Sequence, residues 1–394
     1  MIASRLRWLA IGIFILSTSL NYLDRQLVAA LAPTLKSEFQ LNNQQYGQIQ
    51  SAFSIAYALA APLAGWFVDA MGLMRGTIIA AVVWSLAGGA TALFHSFAGL
   101  LGCRTVLGAA EAASIPSAGK ANATYLASHE LALGTALNQV GISIGLVAAP
   151  LIVAAIAPRY GWRATFVICG ALGLVWAPLW WLTSKRVPGR ELKKEENGPI
   201  GALLRDRRFW GLAVANALVM TTYALWTTWT TLYFVQERHM TQDQANQQFA
   251  WIPSVFAIAG GFAGGGLAYR WIRRGSAPEA ARLRACWIGA LFLLLTAAVP
   301  LMPTAGLAAA VISLSFFWTL TISTNVYALP IDLFGAGRAA FGVAALTCSY
   351  GLMTTFVSPA IGAVVDHAGF TPVCAVASVL PLAGVAVLHY FVAR

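Results

Sequence analysis

Charge is what this 394-residue chain has least of: 10% of its residues are Asp, Glu, Lys or Arg, against 59% hydrophobic. A water-facing surface takes about a quarter charged residues, so a soluble fold is excluded. Long hydrophilic stretches are also scarce. The only one is Ser184 to Arg208, which leaves no sizeable soluble domain for a receptor or a purely structural role. The five cysteines (Cys103, Cys169, Cys286, Cys348 and Cys374) lie within or at the ends of apolar runs, without paired or metal-type spacing. A disulfide framework or zinc site is therefore a poor reading, and small buried hydrophobes fit better. The five histidines (His95, His129, His239, His367 and His389) show no paired spacing either, and there is no nucleotide-binding loop. Intramembrane catalysis and ATP-driven transport both lack their sequence requirements. No catalytic residue, metal or cofactor is expected.

Hydrophobic runs fill the space that charge leaves. Twelve are long enough to cross a bilayer, which takes roughly 20 residues each. They fall at about 8–34, 46–69, 76–95, 98–126, 132–157, 163–183, 208–235, 247–271, 283–302, 305–328, 338–366 and 370–391. The fold class expected is an all-α polytopic membrane protein. The first run follows Arg5 and Arg7 as a signal peptide would, but it continues to about Ala30 with no convincing cleavage site, so it reads as a retained span. The hydrophilic stretch divides the runs six and six. The expected domains are a six-helix bundle over 1–183, a basic linker over 184–207 and a second six-helix bundle over 208–394, as in folds built from homologous halves.

The net charge of +11 is a topology signal. Apart from Arg25, Arg104 and Lys120 inside spans, only Lys36, Arg159, Arg163 and Arg238 fall on the side opposite the linker. That bias puts both termini in the cytoplasm. It implies some affinity for anionic lipid and requires no nucleic-acid partner.

Against this apolar background stands Asn21-Tyr22-Leu23-Asp24-Arg25-Gln26 in the first span. Ionisable residues there are expensive, by a contested ~2.5 kcal/mol or more each, and mark a functional site by default. Asn21, Tyr22 and Arg25 share a helix face, whereas Asp24 points about 100° away. Arg25 stays charged and forks onto a carboxylate with two parallel hydrogen bonds, so it is the leading anion anchor. The alternative is a permanent ion pair with a carboxylate on another helix. Glu111 in the fourth span is a second membrane-depth carboxylate, and either couples protons or pairs with Arg104.

Further motifs repeat a known pattern. Gly65-Trp66-Phe67-Val68-Asp69-Ala70-Met71-Gly72-Leu73-Met74-Arg75 joins spans 2 and 3, with Asp69 and Arg75 offering opposite charges. Span 4 carries Arg104-Thr105-Val106-Leu107-Gly108, and span 5 carries Gly141, Gly145 and Pro150. Together these resemble the signature motifs of the major facilitator superfamily over the whole chain, with a degraded second copy in which Tyr269 stands for the aspartate. The resemblance implies twelve helices in two pseudo-symmetric bundles, transport by alternating access, a functional monomer, and Gly65, Asp69, Gly72, Arg75 and Arg104 as gating elements. A finer resemblance, to the anion:cation symporter family, rests on Asn21 to Arg25 with Ala32-Pro33-Thr34-Leu35, Ser51 to Ala58, Gly161-Trp162-Arg163, Trp251-Ile252-Pro253 and Asn325 to Phe334. It implies proton-driven uptake of a small organic anion, a hexuronate, aldonate or other carboxylate, across the plasma (inner) membrane, with protonation roles for Asp24 and Glu111.

Span 7 departs from that family. Such transporters often have a dense aromatic run ending in lysine, where this chain reads Tyr223-Ala224-Leu225-Trp226-Thr227-Thr228-Trp229-Thr230-Thr231. An exporter or uniporter of a small monocarboxylate or hydrophobic solute on the same fold stays open. Further substrate candidates are Tyr57, Gln139, Tyr223, Trp226 and Asn325. The span 7 aromatics serve either packing or ligand, and Asn325 bonds either ligand or a neighbouring helix. Lys120 is expected to snorkel to the interface.

Overall fold

The computed structural model describes residues 2–127, 130–187 and 203–392, so most of the expected linker at 184–207 lies outside the described residues. Among the described residues the chain is helical throughout, with no strand. Among the described residues, ten helices are long and apolar enough to cross a membrane. One of them, Leu131–Arg186, is divided by Gly161 into spans 5 and 6. Span 4 supplies the twelfth crossing as two shorter pieces, Phe97–Glu111 and Ser114–Tyr125.

Four span junctions use the same backbone conformation. Gly72 has φ 78° and ψ 155°, Gly161 79° and 159°, Gly335 75° and 168°, and Gly369 68° and −166°. Positive φ with ψ near 180° is essentially restricted to glycine. The chain therefore reverses within one residue at the junctions of spans 2 and 3, 5 and 6, 10 and 11, and 11 and 12.

Two compact units result. The first comprises Met1–Leu41, Gln48–Lys194 and Thr241–Trp251; the second comprises Asn42–Gly47, Glu195–Met240 and Ile252–Arg394. Each unit thus contains one short segment from the other half of the sequence, which a division at 184–207 does not anticipate.

In the first unit, Phe14 meets Trp176 and Trp180 edge-on at 6.2 and 5.2 Å, and the Trp176 indole donates to the Ile13 carbonyl at 2.7 Å. Span 5 crosses span 1 at Gly145, where a Cβ would sit 2.4 Å from the Ser19 carbonyl oxygen and 2.8 Å from the Leu23 nitrogen. Small residues permit this backbone contact, which fixes the turn leading into Asn21–Arg25. The segment 241–251 joins this unit through Gln242, whose Oε1 accepts from the Thr34 hydroxyl at 2.8 Å, and Asn246, which donates to the Ala30 carbonyl at 2.9 Å.

The second unit packs Leu212, Val219, Cys286, Leu293, Ile322 and Leu388 at its centre. Arg282 and Asp332 form an ion pair between spans 9 and 10. Its segment 42–47 is held by Asp366, whose carboxylate oxygens accept from the backbone N–H of Asn43 and of Gln44, each at 3.0 Å. The Tyr46 hydroxyl donates to the Thr228 carbonyl at 2.9 Å. Both units carry bare apolar surface: Leu59, Leu63, Trp66, Phe262, Leu301 and Phe356 are 67% to 75% exposed. That much apolar surface fits a hydrocarbon surround.

Candidate functional site

Span 4 is interrupted immediately after Glu111, and Pro116 explains the position. Proline lacks the N–H that would bond the carbonyl four residues back, and its ring clashes with that carbonyl. The carbonyl is that of Ala112, and helix Phe97–Glu111 accordingly ends there before Ser114–Tyr125 begins. Broken helices at membrane depth are tolerated where they build a site.

Glu111 is fully buried, and its Oε2 accepts both Nε and an Nη of Arg25, at 3.1 and 3.0 Å. Both bonds fall on one oxygen; Glu111 Oε1 has no hydrogen-bond partner among the described residues. The Arg25 side chain is 19% exposed and that of Glu111 0%, so Arg25 is the more accessible half of the pair. Three rings wall it in: Tyr22, Phe53 and Tyr57, with centroids 4.5, 4.7 and 4.9 Å from Cζ. Asn21 is fully buried beneath this group, where its Oδ1 accepts from the Ser114 hydroxyl at 3.4 Å.

Asp24 points the other way, as helix geometry requires. It is 3% exposed, and its Oδ2 has no hydrogen-bond partner among the described residues. Gly88 of span 3 lies beside it, where a Cβ would make ordinary contact with Asp24 Cγ at 3.9 Å. Arg104 is 1% exposed and donates to Gln50 Oε1 at 3.1 Å and to the Arg25 carbonyl at 3.5 Å. One cluster in the first unit therefore holds two guanidiniums and two carboxylates. A carboxylic acid can be neutral and a guanidinium in a protein cannot, so protons are the only variable charge in the cluster.

The structure thus brings together Asn21, Tyr22, Asp24, Arg25, Tyr57, Arg104 and Glu111. Arg104, expected among the gating elements, lies in the Arg25 cluster. Gln139 is exposed on span 5. In the second unit, Tyr223 is half-buried against Phe316 and Tyr350. Trp226 is 1% exposed and packs edge-on against Tyr233, while Asn325 is fully buried and ties the Gly264 and Thr321 carbonyls at 3.1 and 2.9 Å. Trp226 and Asn325 are both turned into the bundle. At the junction of spans 2 and 3, Gly65 adjoins open space, Gly72 makes the turn, and Arg75 is exposed. Asp69 bonds Lys120 Nζ at 2.7 Å, and Lys120 also donates to the Val68 carbonyl at 3.1 Å. Lys120, expected to snorkel, thus ends on a carboxylate that is 75% exposed. Phe53 and Gln50 were not among the expected site residues; the signal for them is their spacing with Tyr57 on one face of span 2.

Comparisons with known proteins agree with this architecture. The chain is 32% identical to the hexuronate transporter of Escherichia coli (strain K12) over 406 residues, covering 97% of this chain and 93% of that protein. It is 34% identical to the galacturonate transporter of Dickeya chrysanthemi over 281 residues, covering 66% and 81%. Among solved structures, a bacterial homologue of the human lysosomal transporter Spinster, inward-facing and unoccupied, superposes with a TM-score of 0.78 at 20% identity, covering 98% of this chain and 95% of that one. The Major Facilitator Superfamily profile matches residues 14–358. The chain is a multi-pass transporter and belongs to the Major Facilitator Superfamily.

Proposed function

We propose that this transporter takes up a small organic anion, a sugar acid of the hexuronate or aldonate class, together with protons, by alternating access. The observation that carries the reading is the Arg25–Glu111 pair. A guanidinium that is partly accessible, ringed by aromatics and bonded to one oxygen of an internal carboxylate is a carboxylate receptor holding its own competitor. Protonation of Glu111 removes the competitor's charge, and a substrate carboxylate takes its place with a bidentate charge-assisted contact. Asp24, beside Arg104, is the second protonation site. Both termini face the cytoplasm at the plasma membrane, the protein acts as a monomer, and the bundles correspond to residues 1–183 and 208–394. The relatives named for hexuronate and galacturonate transport support the substrate class.

The test is uptake of D-galacturonate and D-glucuronate into proteoliposomes. An inward proton gradient is expected to drive accumulation, and Arg25→Ala to abolish it. Uptake indifferent to the gradient, or surviving in Arg25→Ala, refutes the reading.

A further inference from the structure

Phe53 is 6% exposed and lies beside two guanidiniums, the buried one of Arg104 and the partly exposed one of Arg25. Its centroid is 4.7 Å from Arg25 Cζ and 4.8 Å from Arg104 Cζ, both within the roughly 6 Å over which a ring face attracts a cation. Tyr22 and Tyr57 face Arg25, but among the described rings only Phe53 serves both arginines.

The backbone fixes this ring. On span 4, Arg104, Gly108 and Glu111 follow at helical spacing and present one face. A Cβ at Gly108 would lie 2.3 Å from the Phe53 carbonyl oxygen, so spans 2 and 4 touch backbone to backbone at this residue. On span 2 the opposing face is Gln50, Phe53 and Tyr57. Gln50 accepts from Arg104, and the Tyr57 ring stacks on Phe53 at 6.0 Å and 26°. Phe53 is clamped at its backbone by Gly108 and on its ring by Tyr57.

We infer that Phe53 is a positioning residue: its ring holds Arg25 and Arg104 together and keeps Arg25 aimed while Glu111 is not its counter-ion. The logic is one of timing. An arginine that exchanges an internal carboxylate for an external one passes through an interval with neither. An aromatic face is attractive to a cation yet carries no net charge, so it holds the guanidinium without competing with the incoming anion. A carboxylate in the same position would hold Arg25 more strongly and would block it. Preorganisation of this kind lowers the ordering penalty of binding. The role in binding rests on the anion-transport reading above; the attraction between ring and arginines does not.

Mono-, di- and trifluorinated phenylalanine at position 53 test this, because fluorine drains the ring face while leaving the shape nearly unchanged. Two measurements separate the claims. In purified protein without any anion, the melting temperature is expected to fall stepwise with fluorine number, and the slope to halve in an Arg25→Gln background where only Arg104 remains. In proteoliposomes, the KM for D-galacturonate is expected to rise stepwise, reaching about five-fold for the trifluoro form, with kcat within about two-fold; five-fold corresponds to about 1 kcal/mol, within the range for such contacts. A melting temperature flat across the fluorine series in the otherwise native protein overturns the proposal even if Phe53→Leu is defective, because ring volume then suffices. A slope unchanged by Arg25→Gln overturns it as well. If the native protein does not transport D-galacturonate, the substrate reading fails while the melting series still decides the role of Phe53.

Discussion

Replacing Glu111 by glutamine removes the charge of the internal competitor while keeping its shape. In the native protein Arg25 donates twice to Glu111 Oε2, at 3.1 and 3.0 Å. Charge-assisted bonds are worth about 1.5–3 kcal/mol and neutral ones about 0.5–1.5, so the amide retains roughly half of the attraction. Leaving a buried charge without its partner costs up to 3–5 kcal/mol. The three rings around Arg25 and its 19% exposure reduce that, and a loss of about 1–2 kcal/mol is expected. Anion binding moves the other way. The substrate no longer displaces a carboxylate, so its affinity should rise about ten-fold at neutral pH, equivalent to about 1.4 kcal/mol. In the native protein, affinity should strengthen as pH falls and Glu111 gains its proton; in Glu111→Gln it should be flat. The assays are D-galacturonate titration followed by thermal shift from pH 5.5 to 8.5, and paired measurements of gradient-driven uptake and counterflow. Concentrative uptake should disappear and counterflow persist. If Glu111→Gln still accumulates substrate against its gradient, or if its affinity keeps the native pH slope, Glu111 is not the coupling carboxylate.

Other outcomes follow from the packing. Gly145→Leu drives a side chain into the Ser19 carbonyl and the Tyr22 Cβ. Overpacking costs about 1–3 kcal/mol, and a lower melting temperature should accompany a raised KM, because the displaced segment leads directly to Arg25. Asp366→Ala removes the acceptor for two N–H groups at the start of span 2 and should destabilise by about 1 kcal/mol, as lost caps do, read as a reduced melting temperature that Asp366→Asn partly restores. Lys120→Ala breaks a pair whose carboxylate partner is 75% exposed; such pairs contribute about 0–1 kcal/mol. Its melting temperature should barely move, so a large loss of transport rate would mark a gating role and an unchanged rate would refute one.

The periodic features were legible in the sequence. Twelve apolar runs and the six-and-six division need only composition and length, and the charges in span 1 announced themselves by their surroundings. Helix spacing also separated Arg25 from Asp24, because the 100° step is local. The partner of Arg25 was not local. Glu111 lies 86 residues away, and the sequence offered it either proton coupling or a pair with Arg104. Lys120 was read from side-chain length alone, which cannot register that Asp69 stands within 2.7 Å. Trp226 fell on a stripe with Tyr223 and Trp229, but the stripe does not tell a cavity wall from a bundle interior. The exchange of residues 42–47 and 241–251 between compact units was invisible too, since no composition change marks it. Pro116 is different: the residue was in plain view, and its clash with the Ala112 carbonyl follows from chemistry without any tertiary information.

The Arg25–Glu111 pair also constrains how the protein is made. Span 1 leaves the ribosome carrying Asp24 and Arg25, and the carboxylate that pairs with Arg25 emerges 86 residues later. At 5–20 residues per second that delay is roughly 4–17 s. An aspartate and an arginine at the centre of an inserting helix together disfavour insertion by about 5–7 kcal/mol, and by less toward its end, where Asp24 and Arg25 lie; the apolar residues of span 1 must offset that cost alone until span 4 arrives. The charge arrangement proposed to meet an anion therefore places an insertion cost on the first helix that its partner span is not yet there to offset. Nascent chains stalled before Glu111 should be held at the insertion machinery, and chains stalled after Tyr125 should be released into the bilayer.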